Sequence, residues 1–232
     1  MNTVGPTARD LWCLVRQQRA TAALEDVRDI LRSRFYLKTE QVVVSKELVA
    51  PDGSEPDTIR IAEAAPHHLP ALAEFNRRQC STRRTLRFDR GLAEGKRALL
   101  GFRDGELIGY FWWHDGTHAS GDFYLARFGL GLADDEMYGY DLFIAPEHRG
   151  GGTPAAFLAG VEAELARLGY RRMLGFVESS NRPARWLYAT SGYQDVLRSR
   201  IRTVLRRLIH VEGRGWLVAG KHGLRPLGRR GR

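Results

Sequence analysis

The chain has 232 residues, with 36 basic and 27 acidic side chains and a formal net charge of +9. This length allows one large domain or two small ones with a sizeable core. No apolar run approaches the roughly 20 residues of a membrane helix, and the amino terminus lacks a secretory pattern. Cys13 and Cys80 have no metal-ligand spacing, which favours a reducing cytoplasmic location and no metal site.

Strand-like and helix-like segments alternate along the chain, separated by turn residues. The predicted elements, in chain order, are a helix over 10–34, a strand over 41–48, a linker over 50–57, a strand over 58–64, a helix over 66–80, a hairpin of 98–103 and 106–114 around Asp104-Gly105, a strand over 123–130, a turn at Asp134-Asp135, a strand over 138–145, a helix over 155–168, a strand over 173–177, a helix over 181–191 and a hairpin within 194–208. This alternation predicts an α/β protein with a mixed sheet and helices on both faces.

The most informative segment is the glycine-rich turn Arg149-Gly150-Gly151-Gly152-Thr153-Pro154, between a predicted strand and a predicted helix. The first backbone N–H groups of a helix are unpaired, and the positive end of the helix dipole favours anions. Glycine also permits positive φ and lets a ligand approach the backbone closely. The turn therefore predicts a pyrophosphate site, with a plain connecting loop as the alternative.

A second segment, Asn181-Arg182-Pro183-Ala184-Arg185-Trp186-Leu187-Tyr188-Ala189-Thr190-Ser191-Gly192-Tyr193, follows after one helix and one strand. Together the two segments resemble the GCN5-related N-acetyltransferase (GNAT) superfamily, which has Pro-x-x-Arg-Gly-x-Gly-x-Gly/Ala and then Asn-x-x-Ala-x-x-Leu-Tyr-x-x-x-Gly-Phe/Tyr. The matching residues are Pro146, Arg149, Gly150, Gly152, Asn181, Ala184, Leu187, Tyr188, Gly192 and Tyr193. Their order and spacing are specific for the superfamily and not for a substrate.

The resemblance covers residues 57–208 and implies a central mixed, mostly antiparallel sheet with helices on both faces. In that fold two central strands splay apart around the pantetheine arm. Residues 1–56 then form a helix-plus-strand extension, which could cover the acceptor cleft, form a dimer contact or add a strand at the sheet edge. Residues 209–232, rich in Gly and Arg, are predicted to form a basic, flexible tail.

The resemblance implies an N-acyltransferase that moves an acetyl group directly from acetyl-CoA, or from another acyl-CoA, to a primary amine. The residues implied in binding coenzyme A are Phe143, Ile144, Arg149, Gly150, Gly151, Gly152, Thr153 and Asn181. Pro154 stands where the family has Gly or Ala, and proline has no N–H to donate. Proline is favoured in the first turn of a helix, and the amides of residues 150–153 could still bind phosphate.

Acyl transfer from a thioester needs a neutral amine and a proton for the leaving thiolate. Tyr188 matches the family's leaving-group acid, with a packed core tyrosine as the alternative. Some relatives carry a glutamate base at the position of Phe176. Here the candidates for the base are Glu178, on the same strand face, and Asp141 on the preceding strand; Glu136 and His114 are more distant candidates. The alternative is that each of these carboxylates has a purely structural role. A chain of water molecules could then act as the base.

Basic residues concentrate at the carboxyl end, where residues 196–232 contain eleven Lys and Arg and one acidic residue. Such a segment favours an anionic partner, for example an acidic acyl carrier protein or another polyanion. Two alternatives to the acetyl-CoA enzyme therefore stay open. One is an enzyme that takes its acyl group from a carrier protein, and the other is a non-catalytic acyl-CoA or carrier-binding module with a polyanion-binding tail. The acceptor and the oligomeric state are not predicted.

Overall fold

The structure is a computed structural model, and it describes residues 36–50, 59–79, 82–115, 123–204, 208–220 and 223–226. The strands are β1 (Tyr36–Glu47), β2 (Arg60–Glu63), β3 (Arg97–Arg103), β4 (Glu106–Asp115), β5 (Glu136–Ile144), β6 (Arg172–Glu178), β7 (Gln194–Val204), β8 (Leu208–Val211), β9 (Gly215–Gly220) and β10 (Gly223–Pro226). The helices are α1 (Leu69–Arg78), α2 (Thr82–Ala93), α3 (Phe123–Phe128), α4 (Thr153–Arg167) and α5 (Arg182–Thr190), and 3₁₀ turns lie at Pro66–His68 and Pro146–His148.

The described residues fall into two compact units. Unit 1 holds residues 59–79, 82–113 and 141–161, and unit 2 holds residues 36–50, 114–115, 123–140, 162–204, 208–220 and 223–226. The final residues of β5 and the first part of α4 belong to unit 1, whereas the rest of both elements belongs to unit 2.

Unit 1 contains strands in the order β5, β4, β3, β2. The β3–β4 hairpin turns through Asp104 at φ 52° and Gly105 at φ 80°, as the Asp-Gly pair predicted. Helix α4 packs closely on β3, since a Cβ placed at Gly101 would lie only 2.3 Å from Phe157 Cε2. This contact holds the amino-terminal half of α4, and hence the glycine-rich turn before it, against the sheet.

Unit 2 contains strands in the order β10, β9, β8, β7, β1, β6, β5. Its described ladders are antiparallel except for β5 and β6, which run parallel. Strand β1 is interior, because Val42 pairs with Val177 of β6 on one side and with Arg198 of β7 on the other. The amino-terminal extension therefore supplies a central strand rather than the edge strand that was one of its three predicted roles.

Replacing Val43 with alanine is expected to destabilise the protein by about 2 kcal/mol, because two buried methyl groups are lost and a cavity remains. Val43 is 1% exposed in the core of unit 2. The measurement is the free energy of unfolding in urea. Val196→Ala, at a position 54% exposed in the same unit, is the control and should change that free energy by less than about 0.5 kcal/mol. Equal effects would show that β1 is not part of the core.

Three segments differ from the prediction. Residues 123–128 form helix α3 and not a strand, because Leu125 and Phe128, three positions apart, both pack into the core of unit 2. Helix α2 was not predicted. The segment expected to be a flexible tail contributes strands β8, β9 and β10. The predicted helix over 10–34 and nearly all of the predicted linker over 50–57 lie outside the described residues.

The basic residues of β7 lie among acidic neighbours. Arg198, Arg200 and Arg202 are exposed, but Arg198 forms an ion pair with Asp195 at 3.3 Å. Arg200 lies opposite Glu40 of β1 in the ladder. Part of the basic charge counted at the carboxyl end is therefore offset locally by acidic residues that precede it in the sequence.

Candidate active site

The glycine-rich turn connects β5 to α4 in unit 1. Gly151 and Gly152 adopt positive φ of 61° and 79°, a conformation that glycine adopts without steric cost. A Cβ added at Gly150, Gly151 or Gly152 would meet no described heavy atom within 4 Å beyond the adjacent residues. The backbone of the turn is therefore accessible to a ligand.

The amides of the turn divide into occupied and available donors. The Thr153 N–H donates to the Gly150 carbonyl at 3.1 Å, and the Ala156 N–H donates to the Gly152 carbonyl at 3.0 Å. Within the described residues, the amides of Gly150, Gly151 and Gly152 make no backbone hydrogen bond. The predicted four-amide site is thus corrected to three glycine amides, because the Thr153 amide closes the turn. Three available amide donors just before a helix start suit an anion such as the pyrophosphate of an acyl-CoA.

Arg149 fixes the exit of β5. Its Nε donates to the Ile144 carbonyl at 2.9 Å, and its guanidinium carbon lies 5.4 Å from the centre of the Phe143 ring. The Phe143 ring packs in unit 1 against Tyr110 at 5.5 Å between centroids. The side chain of Phe143 is therefore structural, and only backbone groups of Phe143 and Ile144 are candidates for binding pantetheine. Asp141, half-buried on β5, also lies in unit 1.

Tyr188 lies in unit 2 on α5, beside the last paired residues of β5 and β6. The parallel ladder ends at Gly139 and Gly175, although both strands continue. A Cβ placed at Gly175 would lie 3.7 Å from Tyr188 Oη and 3.8 Å from the Gly139 carbonyl oxygen. The phenol therefore reaches the point where the two strands stop pairing.

Tyr188 is surrounded by a second tyrosine and an ion pair. The Tyr193 ring meets it edge to face at 4.9 Å between centroids, and Tyr193 Oη donates to Met173 Sδ at 3.1 Å. Lys46 of β1 forms an ion pair with Glu162 of α4. Burial, and then the negative charge of Glu162, raise the pKa of Tyr188 to about 12. The phenol is therefore protonated at neutral pH, as a general acid must be.

The raised pKa of Tyr188 predicts a loss of stability in alkali. The folded state holds the phenolic proton up to about pH 12, whereas an unfolded tyrosine releases it near the ordinary value of 10. The contribution of the protonated phenol to the free energy of unfolding is fully present below pH 10 and is lost as the pH rises towards 12. For a difference of two pKa units this loss is about 2.7 kcal/mol. Urea unfolding of wild type and Tyr188→Phe at pH 9 and 11.5 measures it. Between pH 9 and 11.5 the wild type should lose more of its free energy of unfolding than Tyr188→Phe. Equal losses in the two proteins would contradict the raised pKa of Tyr188.

Asn181 and Glu178 lie in unit 2 at the start of α5 and the end of β6. Asn181 is the N-cap of α5, where its Oδ1 accepts the Ala184 N–H at 3.2 Å. The capping role alone is a sufficient reason for asparagine at this position, and it does not prevent Asn181 from also contacting pantetheine. Glu178 is exposed and forms no ion pair within the described residues, so its carboxylate is accessible as a base.

The more distant base candidates have structural roles in unit 2. Glu136 forms an ion pair with Arg172 and accepts the Ala133 N–H at 3.0 Å. His114 is buried, with its ring 5.2 Å from that of Tyr138. Phe176, at the family's glutamate position, stacks on Tyr138 at 6.0 Å. Glu178 and Asp141 therefore remain the candidates for the base.

Two further findings concern metals and membranes. Within the described residues, no group of three or more His, Cys, Asp or Glu side chains is arranged to hold a metal ion. No helix in that part of the chain is long and apolar enough to cross a membrane.

The sequence model of the Acetyltransferase (GNAT) family matches residues 63–193, more than half of the chain. The chain belongs to this family. Members are N-acyltransferases that use acyl-CoA donors, and the available amides of the glycine-rich turn fit such a donor. No curated protein sequence matches the chain.

Several solved structures resemble this GNAT protein in fold. The glucosamine N-acetyltransferase region of a fungal multi-domain β-N-acetylglucosaminidase is 12% identical, with a TM-score of 0.53 over 78% of this chain and 23% of that chain. A functionally unknown Staphylococcus epidermidis protein is 8% identical, with a TM-score of 0.51 over 85% and 80%. A GNAT-family acetyltransferase from Novosphingobium aromaticivorans is 15% identical, with a TM-score of 0.48 over 72% of this chain. The chain spans 63% of the length of that last protein.

Proposed function

We propose that this GNAT protein transfers an acetyl group from acetyl-CoA to the nitrogen of a primary amine. The observation that carries the proposal is the glycine-rich turn, whose three available amides lie just before the start of α4. An anion placed there gains hydrogen bonds from Gly150, Gly151 and Gly152 and the field of the helix dipole. The pyrophosphate of acetyl-CoA is the anion that the family implies.

In the proposed reaction the neutral amine attacks the thioester carbonyl carbon, a C–N bond forms, and the C–S bond then breaks. Tyr188 gives its phenolic proton to the leaving thiolate, which becomes the free thiol of coenzyme A. The proton that the nitrogen loses goes to water, Glu178 or Asp141, and Tyr188 recovers a proton from solvent. The pKa of about 12 for Tyr188 keeps the phenol protonated at neutral pH, so that a proton is present for the leaving thiolate.

Titration calorimetry with acetyl-CoA, a long-chain acyl-CoA and desulfo-CoA, followed by thiol detection over a panel of amines, tests this function. We expect micromolar binding of acetyl-CoA and thiol release that depends on an amine. Stronger binding of the long-chain compound would replace acetyl with a longer acyl group. Binding of none of the three would exclude acetyl-CoA as the donor and leave an acyl carrier protein or a non-catalytic role.

The cellular setting forms part of the proposal. The low cysteine content, two residues in 232, supports a reducing, cytoplasmic location. An anionic partner such as a carrier protein is supported by the basic carboxyl end, although Asp195 and Glu40 offset part of its charge.

A further inference from the structure

A row of basic and aromatic side chains crosses one face of the sheet in unit 2. Lys38 of β1 lies opposite Arg202 of β7. Arg202 lies opposite His210 of β8, which in turn lies opposite Trp216 of β9. Directly opposed residues of antiparallel strands project their side chains from the same face. Because neighbouring strands are about 4.8 Å apart, this basic-aromatic row is about 14 Å long.

The basic-aromatic row is open to solvent. Lys38 and Arg202 are exposed, and His210 is half-buried. Trp216 is 41% exposed, although tryptophan is highly buried on average, and its ring lies 5.1 Å from that of His210 between centroids. The core of unit 2 lies on the opposite face of the same strands, where it contains Ile201, Ile209 and Leu217. The four side chains of the row are therefore accessible to a large ligand.

The positive charge of this face is concentrated on the basic-aromatic row. Arg202 has Lys38 and His210 opposite it, and neither is acidic. Acidic residues lie beside the next row instead, since Arg200 is opposite Glu40 and its carbonyl accepts the N–H of the exposed Glu212 at 3.1 Å. Like charges directly opposite each other on neighbouring strands are destabilising. An anion bound between Lys38 and Arg202 would relieve that repulsion.

On the other side of the row the same face is apolar. The residues two positions along each strand are half-buried and lie in register: Val204 of β7, Leu208 of β8 and Val218 of β9. A ligand on this surface would meet cations along one side, and an indole ring and aliphatic groups beside them. A single strand of nucleic acid has that division, because its phosphates are anionic and its bases have flat apolar faces. An acidic protein segment offers the charge but few flat rings.

We propose that the basic-aromatic row binds single-stranded nucleic acid, with phosphates on Lys38 and Arg202 and a base stacked on Trp216. Sites of this kind combine cations that contact the backbone with aromatic rings that accept any base, so no strong sequence preference is expected. All four residues lie outside residues 63–193, the part of the chain that matches the GNAT family. The inference goes beyond the proposed acetyl transfer and does not depend on it.

The salt dependence of binding tests the phosphate contacts. Fluorescence anisotropy of a labelled oligouridylate with the full-length protein should give a slope of log K against log salt of at least about −1.4 for two contacts. Arg202→Gln should reduce the slope by about 0.7, while the melting temperature stays unchanged or rises because a like-charge pair is lost. Arg171→Gln, at a side chain 80% exposed in the same unit, is the control and should keep the wild-type slope. No change in Arg202→Gln, or the same change in both variants, would overturn the proposal.

Trp216→Ala tests the stacked base. The affinity for oligouridylate should fall about 10-fold with the salt slope unchanged, because one stacked base is lost and the phosphate contacts stay. Trp216→Phe should recover most of the affinity. Trp186→Ala, at a tryptophan 69% exposed on α5, is the matched control and should bind like the wild type. Unchanged affinity in Trp216→Ala, or equal losses in the two alanine variants, would contradict the stacking.

Competition identifies the class of ligand. Unlabelled oligouridylate or oligothymidylate should displace the probe at far lower concentration, per charge, than poly-L-glutamate. Equal displacement by poly-L-glutamate would assign the row to an acidic protein, and tighter binding to phosphatidylserine vesicles would assign it to a membrane surface; either result would overturn the proposal. Acetyl-CoA affinity in Arg202→Gln should equal that of the wild type, so failure of nucleic-acid binding is distinguishable from failure of the proposed acetyl transfer.

Discussion

Replacing Gly152 with glutamate is expected to lower acetyl-CoA affinity by more than about 100-fold while the protein stays folded. Gly152 sits at φ 79° with no described atom near its absent Cβ. A carboxylate there enters the space proposed for the pyrophosphate and repels it. Since each tenfold loss of affinity corresponds to about 1.4 kcal/mol, close like charges readily supply the effect. Calorimetry with acetyl-CoA measures it, and thermal unfolding checks the fold.

Gly169→Glu is the matched control for that variant. Gly169 follows the other end of α4, has φ of 94° and likewise has no described atom within 4 Å of an added Cβ. The substitution introduces the same charge and a similar backbone strain of about 1–2 kcal/mol, but at a position where no phosphate site is proposed. Acetyl-CoA affinity should match that of the wild type. If both variants lost affinity equally, or if Gly152→Glu kept it, the turn would not be the pyrophosphate site.

Tyr188→Phe is expected to lower kcat by about 10²–10⁴, the range of general acid–base catalysis, with acetyl-CoA affinity almost unchanged. The variant loses only the hydroxyl, which lies beside Gly175 and is protonated at neutral pH. The leaving thiolate must then take its proton from water. Amine-dependent thiol release measures kcat, and calorimetry measures affinity.

Tyr193→Phe is the matched control because Tyr193 shares the environment of Tyr188. It is buried, and burial followed by the charge of Glu162 also raises its pKa. Its hydroxyl, however, is already bonded to Met173 Sδ. This variant should keep nearly wild-type kcat and lose some stability. Equal kcat losses in both variants would reduce Tyr188 to a packing role.

The parts of the fold that the sequence predicted well depend on local interactions. The Asp104-Gly105 hairpin needs only two residues with positive φ, and the turn before α4 needs Gly151 and Gly152 for the same reason. Asn181 is the N-cap of α5, a position at which asparagine is a preferred residue. In each case a few adjacent residues determine the geometry. The family motifs are made of such segments, which is why the GNAT family was identified from them.

The parts that the sequence did not predict depend on residues far apart in the chain. Residues 123–130 combine aromatic and apolar residues that suit a strand or a helix, and packing of Leu125 and Phe128 decides for the helix. The basic-aromatic row of unit 2 arises only once β1, β7, β8 and β9 pair in register. No spacing in the sequence indicates such a register, so neither this row nor the pair of Lys46 with Glu162 was predicted.

The interior position of β1 has a consequence for how the chain is made. Val42 of β1 pairs with Arg198 of β7. Arg198 leaves the ribosome roughly 150 residues after Val42, which takes about 8–30 s at ordinary rates of synthesis. During that interval β1 exposes an unpaired strand edge with a Val-Val-Val sequence, a template for pairing with other nascent chains. Premature termination before residue 194 should therefore yield insoluble fragments, and chaperone supply, more than equilibrium stability, should limit the yield of the protein.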